Sequence, residues 1–207
     1  MLRFSALSAV LALTSCNIVQ PEIRIGASQG IPSVAGTADF ALDAFVCGNP
    51  IPAGTYTVTT RVVSGGCEFS FDKDVEVVKA ADYQRIPELG SATSLLQSVE
   101  LKITQLAFID ATTNLPLDPA TQMKSAAFSV NGQLVGDKTT LNALPKTVTL
   151  QGAALTPLKA KIDQRQPATV RASSVVVLPD SPPPPKKMRI EYDAQPTLVL
   201  GTGEIKI

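Results

Sequence analysis

Short alternating runs of apolar and polar residues recur along most of the chain and predict β-strands. Residues 126–130 and 133–136 flank Asn131-Gly132, a pair typical of tight hairpin turns. Between residues 99 and 108 the apolar positions alternate, then shift phase near Thr104-Gln105, which predicts a β-bulge. The pattern therefore indicates strands joined by turns, as in antiparallel sheets.

The clearest hairpin signal lies in residues 55–63 and 67–78, which flank Gly65-Gly66. A two-residue turn there pairs Val62 with Phe69. The paired positions then sort into one mostly apolar face and one face of threonine and charged residues. Consistent faces on both sides of the turn support this register.

Weaker patterns predict further strands and one helix. Residues 156–162 are expected to be helical, with Thr156 as N-cap. Leu155, Leu158 and Ile162 share one face at helical spacing. The other expected strands cover residues 22–25, 37–46, 147–150, 169–178, 187–193 and 197–207. Roughly eight to ten short strands with little helix predict an all-β fold, an antiparallel β-sandwich.

The N-terminus has the composition of an export signal. Arg3 precedes an apolar run over residues 4–13. About ten residues are too few to span a bilayer, which needs roughly 20 in a helix. The residues Leu13-Thr14-Ser15-Cys16 that end this run resemble the lipobox of bacterial lipoproteins. An ordinary secretory signal with an incidental cysteine is the alternative.

The lipobox resemblance implies a domain organisation and a location. Residues 1–15 would be removed, and Cys16 would carry a diacylglycerol as the new N-terminus. Each buried CH₂ contributes about 0.8 kcal/mol, so two or three acyl chains anchor a protein almost permanently. Because Asn17 rather than Asp follows the cysteine, the resemblance favours the outer membrane. Residues 16–36 would form a tether and 37–207 the sandwich, with a possible subdivision at the polar stretch 80–93.

If Cys16 is acylated, Cys47 and Cys67 remain. In an exported chain they are most simply a disulfide. Closing a loop of about 20 residues contributes roughly 3 kcal/mol. A reactive thiol pair is the alternative, although the spacing is not that of a Cys-x-x-Cys motif.

The overall composition restricts the chemistry of the chain. The sequence has no His, which excludes Ser-His-Asp and Cys-His catalysis and His-ligated metals. It has no Trp, which weakens a sugar-stacking or base-stacking function. Without residues 1–15 the chain has one more acidic than basic residue, so no strong field attracts nucleic acid.

Two short patterns suggest catalysis or metal binding. Ser70-x-x-Lys73 has the spacing of a serine acylation site, but that chemistry needs both side chains on one helix face. In a strand, positions three apart point to opposite faces. The acidic residues of the same strand could bind Ca²⁺, but they are spaced too widely to converge on one ion and are better explained as a solvated face opposite Arg61 and threonines. They are Glu68, Asp72, Asp74 and Glu76.

Two loops offer further candidates. Asp110, Asn114 and Asp118 could wrap a cation, but the same residue types are common in turns. Residues 182–185 are four prolines followed by Lys186-Lys187 and should adopt polyproline II. They could be recognised by an aromatic groove. A stiff loop is the simpler interpretation.

The sequence therefore predicts a non-catalytic, lipid-anchored envelope protein with a structural or protein-interaction role. Its expected partners are the membrane, through Cys16, and an envelope protein. The alternative is a β-sandwich that binds a small ligand or Ca²⁺. An enzyme with paired carboxylates would need two acids about 5–10 Å apart in a cleft, and no spacing suggests such a pair. No catalytic residue, metal site or cofactor is predicted.

Overall fold

Two antiparallel β-sheets of six strands each make up the fold. The computed structural model describes residues 22–42, 47–53, 56–86, 89, 96–180 and 185–201. The strands are β1 (Glu22–Ile25), β2 (Val34–Ala41), β3 (Ile51–Ala53), β4 (Tyr56–Val63), β5 (Gly66–Val78), β6 (Leu96–Asp110), β7 (Leu115–Pro116), β8 (Ser125–Val130), β9 (Gln133–Asp137), β10 (Lys146–Leu150), β11 (Ala168–Pro179) and β12 (Lys187–Gly201). The helices are α1 (Asp82–Arg85), α2 (Pro119–Gln122) and α3 (Thr156–Asp163), with 3-10 turns at Ala27–Gln29, Thr140–Ala143 and Gly152–Ala154. The predicted all-β sandwich is confirmed.

The strand order explains how the two sheets are built. In the first sheet β12 pairs with β6 along one edge. Along its other edge β12 pairs first with β2 and then, towards its C-terminal end, with β1. Strands β10 and β7 both pair with β6. The second sheet has the order β3-β4-β5-β11-β8-β9. The long strands β5, β6, β11 and β12 therefore form the centre of the two layers.

The β4–β5 hairpin keeps its predicted faces, but its predicted register is wrong. Val62 pairs with Cys67 rather than with Phe69, and the turn residues are Ser64 and Gly65. Gly66 belongs to β5, where a Cβ atom would lie 2.3 Å from the Leu178 carbonyl oxygen of β11. Because the register moves by two residues, each side chain stays on its expected face.

The predicted bulge in β6 is confirmed. Asp193 of β12 lies opposite Gln105, and Ala194 lies opposite Ile103, so Thr104 is the extra residue. Its hydroxyl donates to the carbonyl oxygen of Asp193, 3.2 Å away. The bulge explains why the apolar positions of this strand change phase.

The second predicted hairpin is also confirmed. Val130 of β8 pairs with Gln133 of β9, and the turn residues Asn131 and Gly132 have φ of 48° and 77°. Asn and Gly tolerate this left-handed conformation better than other residues, which is why the dipeptide predicts the turn.

The C-terminal strands differ from the prediction because they form one element. Residues 187–193 and the first part of 197–207 belong to the continuous strand β12. Ala194 pairs with the first residue of β2, and Leu198 pairs with the last residue of β1. Pro196 lies between these two positions. Neither strand pairs with β12 at this position, so the missing N–H of proline is tolerated.

Helix α3 confirms the predicted helix with a shifted start. Leu158 and Ile162 are buried, as their spacing indicates. The predicted N-cap is wrong, because Leu155 occupies that position and Thr156 is the first helical residue. The Thr156 hydroxyl instead donates to the carbonyl of Gly152, 3.4 Å away.

The segment assigned to a tether is partly built into the sheet. Strand β1 pairs with the end of β12, and β2 begins at Val34. Ile25 and Ile31 are almost completely buried. A tether could therefore extend only over residues before Glu22, which lie outside the described residues.

The two sheets share one hydrophobic core. Phe40 of the first sheet packs edge-on against Phe71 of the second, with ring centroids 5.6 Å apart. Ile86 and Leu89, within the polar stretch after β5, are buried in the same cluster. Among the described residues, this stretch therefore connects β5 of one sheet with β6 of the other and packs into the core that both sheets share.

Candidate functional site

A cavity of about 120 Å³ lies between the two sheets. Its walls are mainly apolar side chains from the inner faces of both sheets. They include Phe71, Val75, Leu101, Ile103, Leu106, Phe108, Phe128, Val130 and Val170. Ala172 of β11 and Ala194 of β12 also line it, and their short side chains leave volume that longer neighbours do not fill.

One part of the cavity wall is polar. Lys73 lies on the inner face of β5, between Phe71 and Val75, and its Nζ donates a hydrogen bond to the hydroxyl oxygen of Tyr192. The same Nζ lies 4.7 Å from the centre of the Tyr192 ring. The Tyr192 hydroxyl therefore holds the ammonium group at the cavity wall.

Tyr192 depends on a glycine in the neighbouring strand. Gly36 of β2 pairs with Tyr192, and a Cβ atom at Gly36 would lie 2.4 Å from the tyrosine hydroxyl oxygen. The absence of a side chain at Gly36 therefore makes room for the tyrosine beside the cavity.

Asp193, the next residue, pairs with Gln105 beside the bulge. Because side chains alternate along a strand, its carboxylate lies on the outer face of the first sheet, whereas Tyr192 and Ala194 face the cavity. Its Oδ1 is buried and has no hydrogen-bond partner among the described residues. This oxygen has almost no accessible surface, so it does not contribute to the polar wall of the cavity.

The predicted disulfide between Cys47 and Cys67 is present, with Cα atoms 5.9 Å apart. Cys67 is buried on the inner face of β5. Next to Cys47, Gly48 N–H donates to the Thr60 hydroxyl at 2.9 Å, and that hydroxyl donates to the Asn49 carbonyl at 2.7 Å. These bonds fix the loop to β4 and indicate a structural disulfide.

Two of the four acidic residues on the outer face of β5 pair with arginines of the neighbouring strands. Glu68 contacts Arg61 at 2.9 Å, and Asp72 contacts Arg171 at 3.1 Å. A hydrogen bond from Ser173, followed by the contact with Arg171, lowers the pKa of Asp72. The arrangement agrees with a solvated face, on which Arg171 joins the expected Arg61.

The carboxylates of the loop after β6 support turns. Asp110 Oδ1 accepts from the Thr112 N–H at 2.8 Å, which lowers the pKa of Asp110. Asp118 caps α2 and accepts from the Ala120 N–H at 3.0 Å and the Thr121 hydroxyl at 2.7 Å. Among the described residues, no three or more His, Cys, Asp or Glu side chains are grouped so that they could hold a metal.

The remaining sequence candidates do not come together. Ser70 pairs with the exposed Val175 on the outer face, whereas Lys73 lines the cavity on the inner face. The Ser70-x-x-Lys73 spacing therefore does not form a catalytic pair. Cys16 and residues 182–184 of the proline run lie outside the described residues.

Sequence reasoning did not identify the polar wall of the cavity. A signal was present for Lys73, because this charged residue falls in phase with the inward-facing Cys67, Phe69 and Phe71. A charge on an apolar face is uncommon and often marks a binding site. Tyr192 gave no comparable signal, because its contact with Lys73 joins two strands that are 119 residues apart in the chain.

The architecture defines this chain as an all-β, antiparallel sandwich with an inter-sheet cavity. Comparison of the chain with protein-family models, with curated protein sequences and with solved structures gave no match. Within the described residues, no helix has the length and hydropathy that a membrane span requires.

Proposed function

We propose that this protein is a non-catalytic lipoprotein of the outer membrane whose β-sandwich serves as an interaction module at the membrane surface. The lipobox-like residues Leu13-Thr14-Ser15-Cys16 support the anchor. Cys16 would carry the acyl chains, and the sandwich would carry the contacts with an envelope partner.

The observation that carries this proposal is the short distance between Cys16 and the fold. Glu22, the sixth residue after Cys16, already pairs with Gly201 in the first sheet. Six extended residues reach about 20 Å at most. An acylated Cys16 would therefore hold the first sheet close to the lipid headgroups, where the sandwich can meet membrane-bound partners.

The anchor is tested by replacing Cys16 with Ser and fractionating cells. We expect the Cys16→Ser protein to leave the membrane fraction, because it lacks the thiol that accepts the lipid. The matched control Ser15→Ala keeps a small residue before the cysteine and should stay membrane-bound. Mass spectrometry of the mature N-terminus provides a second measurement. An unmodified Cys16 thiol, or a Cys16→Ser protein that stays in the membrane fraction, would contradict the anchor.

The cavity favours a second function, the binding of a small ligand. It combines an apolar wall with the Lys73 ammonium group and the Tyr192 hydroxyl, which are hydrogen-bonded to each other. Such a combination is typical of ligand sites, although this volume is smaller than the roughly 300 Å³ of sites for drug-sized molecules. The carboxylates of Glu68 and Asp72 are held by arginines, and those of Asp110 and Asp118 are held by turns, which favours a small organic ligand over Ca²⁺.

A further inference from the structure

We propose that the inter-sheet cavity binds a small, wholly apolar molecule, such as an aromatic or short aliphatic hydrocarbon without a hydrogen-bonding group. This inference rests on the ligand-binding function proposed above, and it does not depend on the lipid anchor. It follows from three properties of the cavity, which are its volume, the pairing of its polar groups and its accessible apolar surface.

The volume limits the size of the ligand. The cavity measures about 120 Å³ and is lined mainly by aliphatic and aromatic side chains. An apolar cavity of about 150 Å³ in another protein accommodates benzene. A single six-membered ring, or an aliphatic chain of similar volume, is therefore the upper limit here.

The lysine and the carboxylate beside the cavity do not favour a polar ligand. The Lys73 ammonium group already donates a hydrogen bond to the Tyr192 hydroxyl, and the Asp193 carboxylate lies on the outer face of the first sheet. The surface that remains towards the cavity is almost entirely apolar. A polar ligand would therefore lose its hydrogen bonds to water without gaining equivalent bonds from the wall, which weakens binding. A hydrocarbon has no such bonds to lose.

The side chains around the cavity keep apolar surface that a ligand can cover. Val75, Ile103 and Leu106 face the cavity and are only half-buried. Phe40 and Phe69, at the other end of the same core, are buried. The cavity is only partly enclosed, so a ligand can enter it from solvent. An apolar ligand would remove this surface from water, which is favourable, whereas a water molecule in the cavity needs two to four polar partners.

Toluene and phenol test the inference, because they have similar size and differ by a methyl group in place of a hydroxyl. Each is titrated into the full chain and followed by protein NMR, with Kd taken from the shifts of residues around the cavity. We expect toluene to bind at least tenfold more tightly than phenol, because the phenol hydroxyl gives up its bonds to water on entering the cavity. Phenol that binds as tightly as toluene would overturn the inference.

A matched pair of alanine variants locates the binding site. Ala172→Val adds methyl groups at the cavity wall and should weaken the binding of toluene at least tenfold. Ala127→Val is the same change at an exposed residue of β8 in the same sheet, and it should leave the Kd unchanged. If Ala172→Val does not fold, Ala194→Val adds the same groups to the cavity wall from the first sheet.

The possible results distinguish the inference from the function on which it rests. If neither compound binds, the cavity is not a ligand site and both proposals are wrong. Both are also wrong if Ala172→Val and Ala194→Val bind toluene as tightly as the wild type, because the compound then binds elsewhere. If both compounds bind in the cavity with equal Kd, or if phenol binds more tightly, the ligand function stands and only the apolar inference is wrong.

Discussion

The space between the two sheets is filled at one end and open at the other. At the closed end, around Phe40, Val58, Phe69 and Met188, the residual volume is about 10 Å³. At the open end, around Lys73, Ala172, Tyr192 and Asp193, it is about 120 Å³. Strands β2, β5, β6, β11 and β12 border both ends. Strands β3 and β4 contribute only to the closed end, and β8 and β9 contribute only to the open end. The two ends therefore differ in their flanking strands as well as in their side chains.

The chemistry of the two ends matches their packing. Aromatic rings pack across the sheets at both ends, Phe40 against Phe71 at the closed end and Phe108 against Phe128 at the open end. The closed end also has the Cys47–Cys67 disulfide, which joins its hairpin to the preceding loop. The open end combines small residues with a lysine and a tyrosine that are hydrogen-bonded to each other. A charged side chain on an otherwise apolar wall is uncommon, and real proteins break packing rules mainly at functional sites. The contrast suggests that the closed end stabilises the fold and the open end binds.

The largest effect is expected from Phe40→Ala at the closed end. Phe40 is buried and packs edge-on against Phe71, so truncation leaves a cavity and should cost about 3–5 kcal/mol of unfolding free energy. Urea unfolding measures the loss. The matched variant is Leu106→Ala at the open end, where the half-buried side chain already borders a void and should cost less. Equal losses would show that the two ends are packed alike.

Replacing alanine with valine should change the unfolding free energy in opposite directions at two positions. Both changes should be smaller than that caused by Phe40→Ala. Ala172→Val adds methyl groups at the cavity and should raise the unfolding free energy by about 0.5–2 kcal/mol. Ala38→Val adds the same groups at a residue that is 2% exposed and should lower it by about 1–3 kcal/mol. Thermal and urea unfolding compare the two variants with the wild type. Destabilisation by both would contradict an open volume beside Ala172.

Features set by local alternation were predictable from the sequence, whereas features set by distant partners were not. The bulge at Thr104 changes the phase of the apolar pattern and is visible within one strand. The register of the β4–β5 hairpin was wrong because Gly66 is required by the approach of Leu178, far along the chain. Asp193 depends in the same way on its pairing across the bulge, 89 residues from Thr104.

The smallest effect is expected at Asp72, on the outer face away from both ends. Asp72→Asn keeps the size of the side chain but removes the charge that contacts Arg171, so it should cost about 0.2–1 kcal/mol at pH 7. Because folding lowers the pKa of Asp72, its contribution is present above the unfolded value near 3.9 and is lost as the pH falls through the folded pKa. The difference between wild type and variant in urea unfolding should therefore shrink below about pH 4. Asp180→Asn, the same change at an exposed residue after β11, should give a smaller difference at pH 7. A difference at Asp72 that grows on acidification would show that its carboxylate is not stabilised by the arginine and serine beside it.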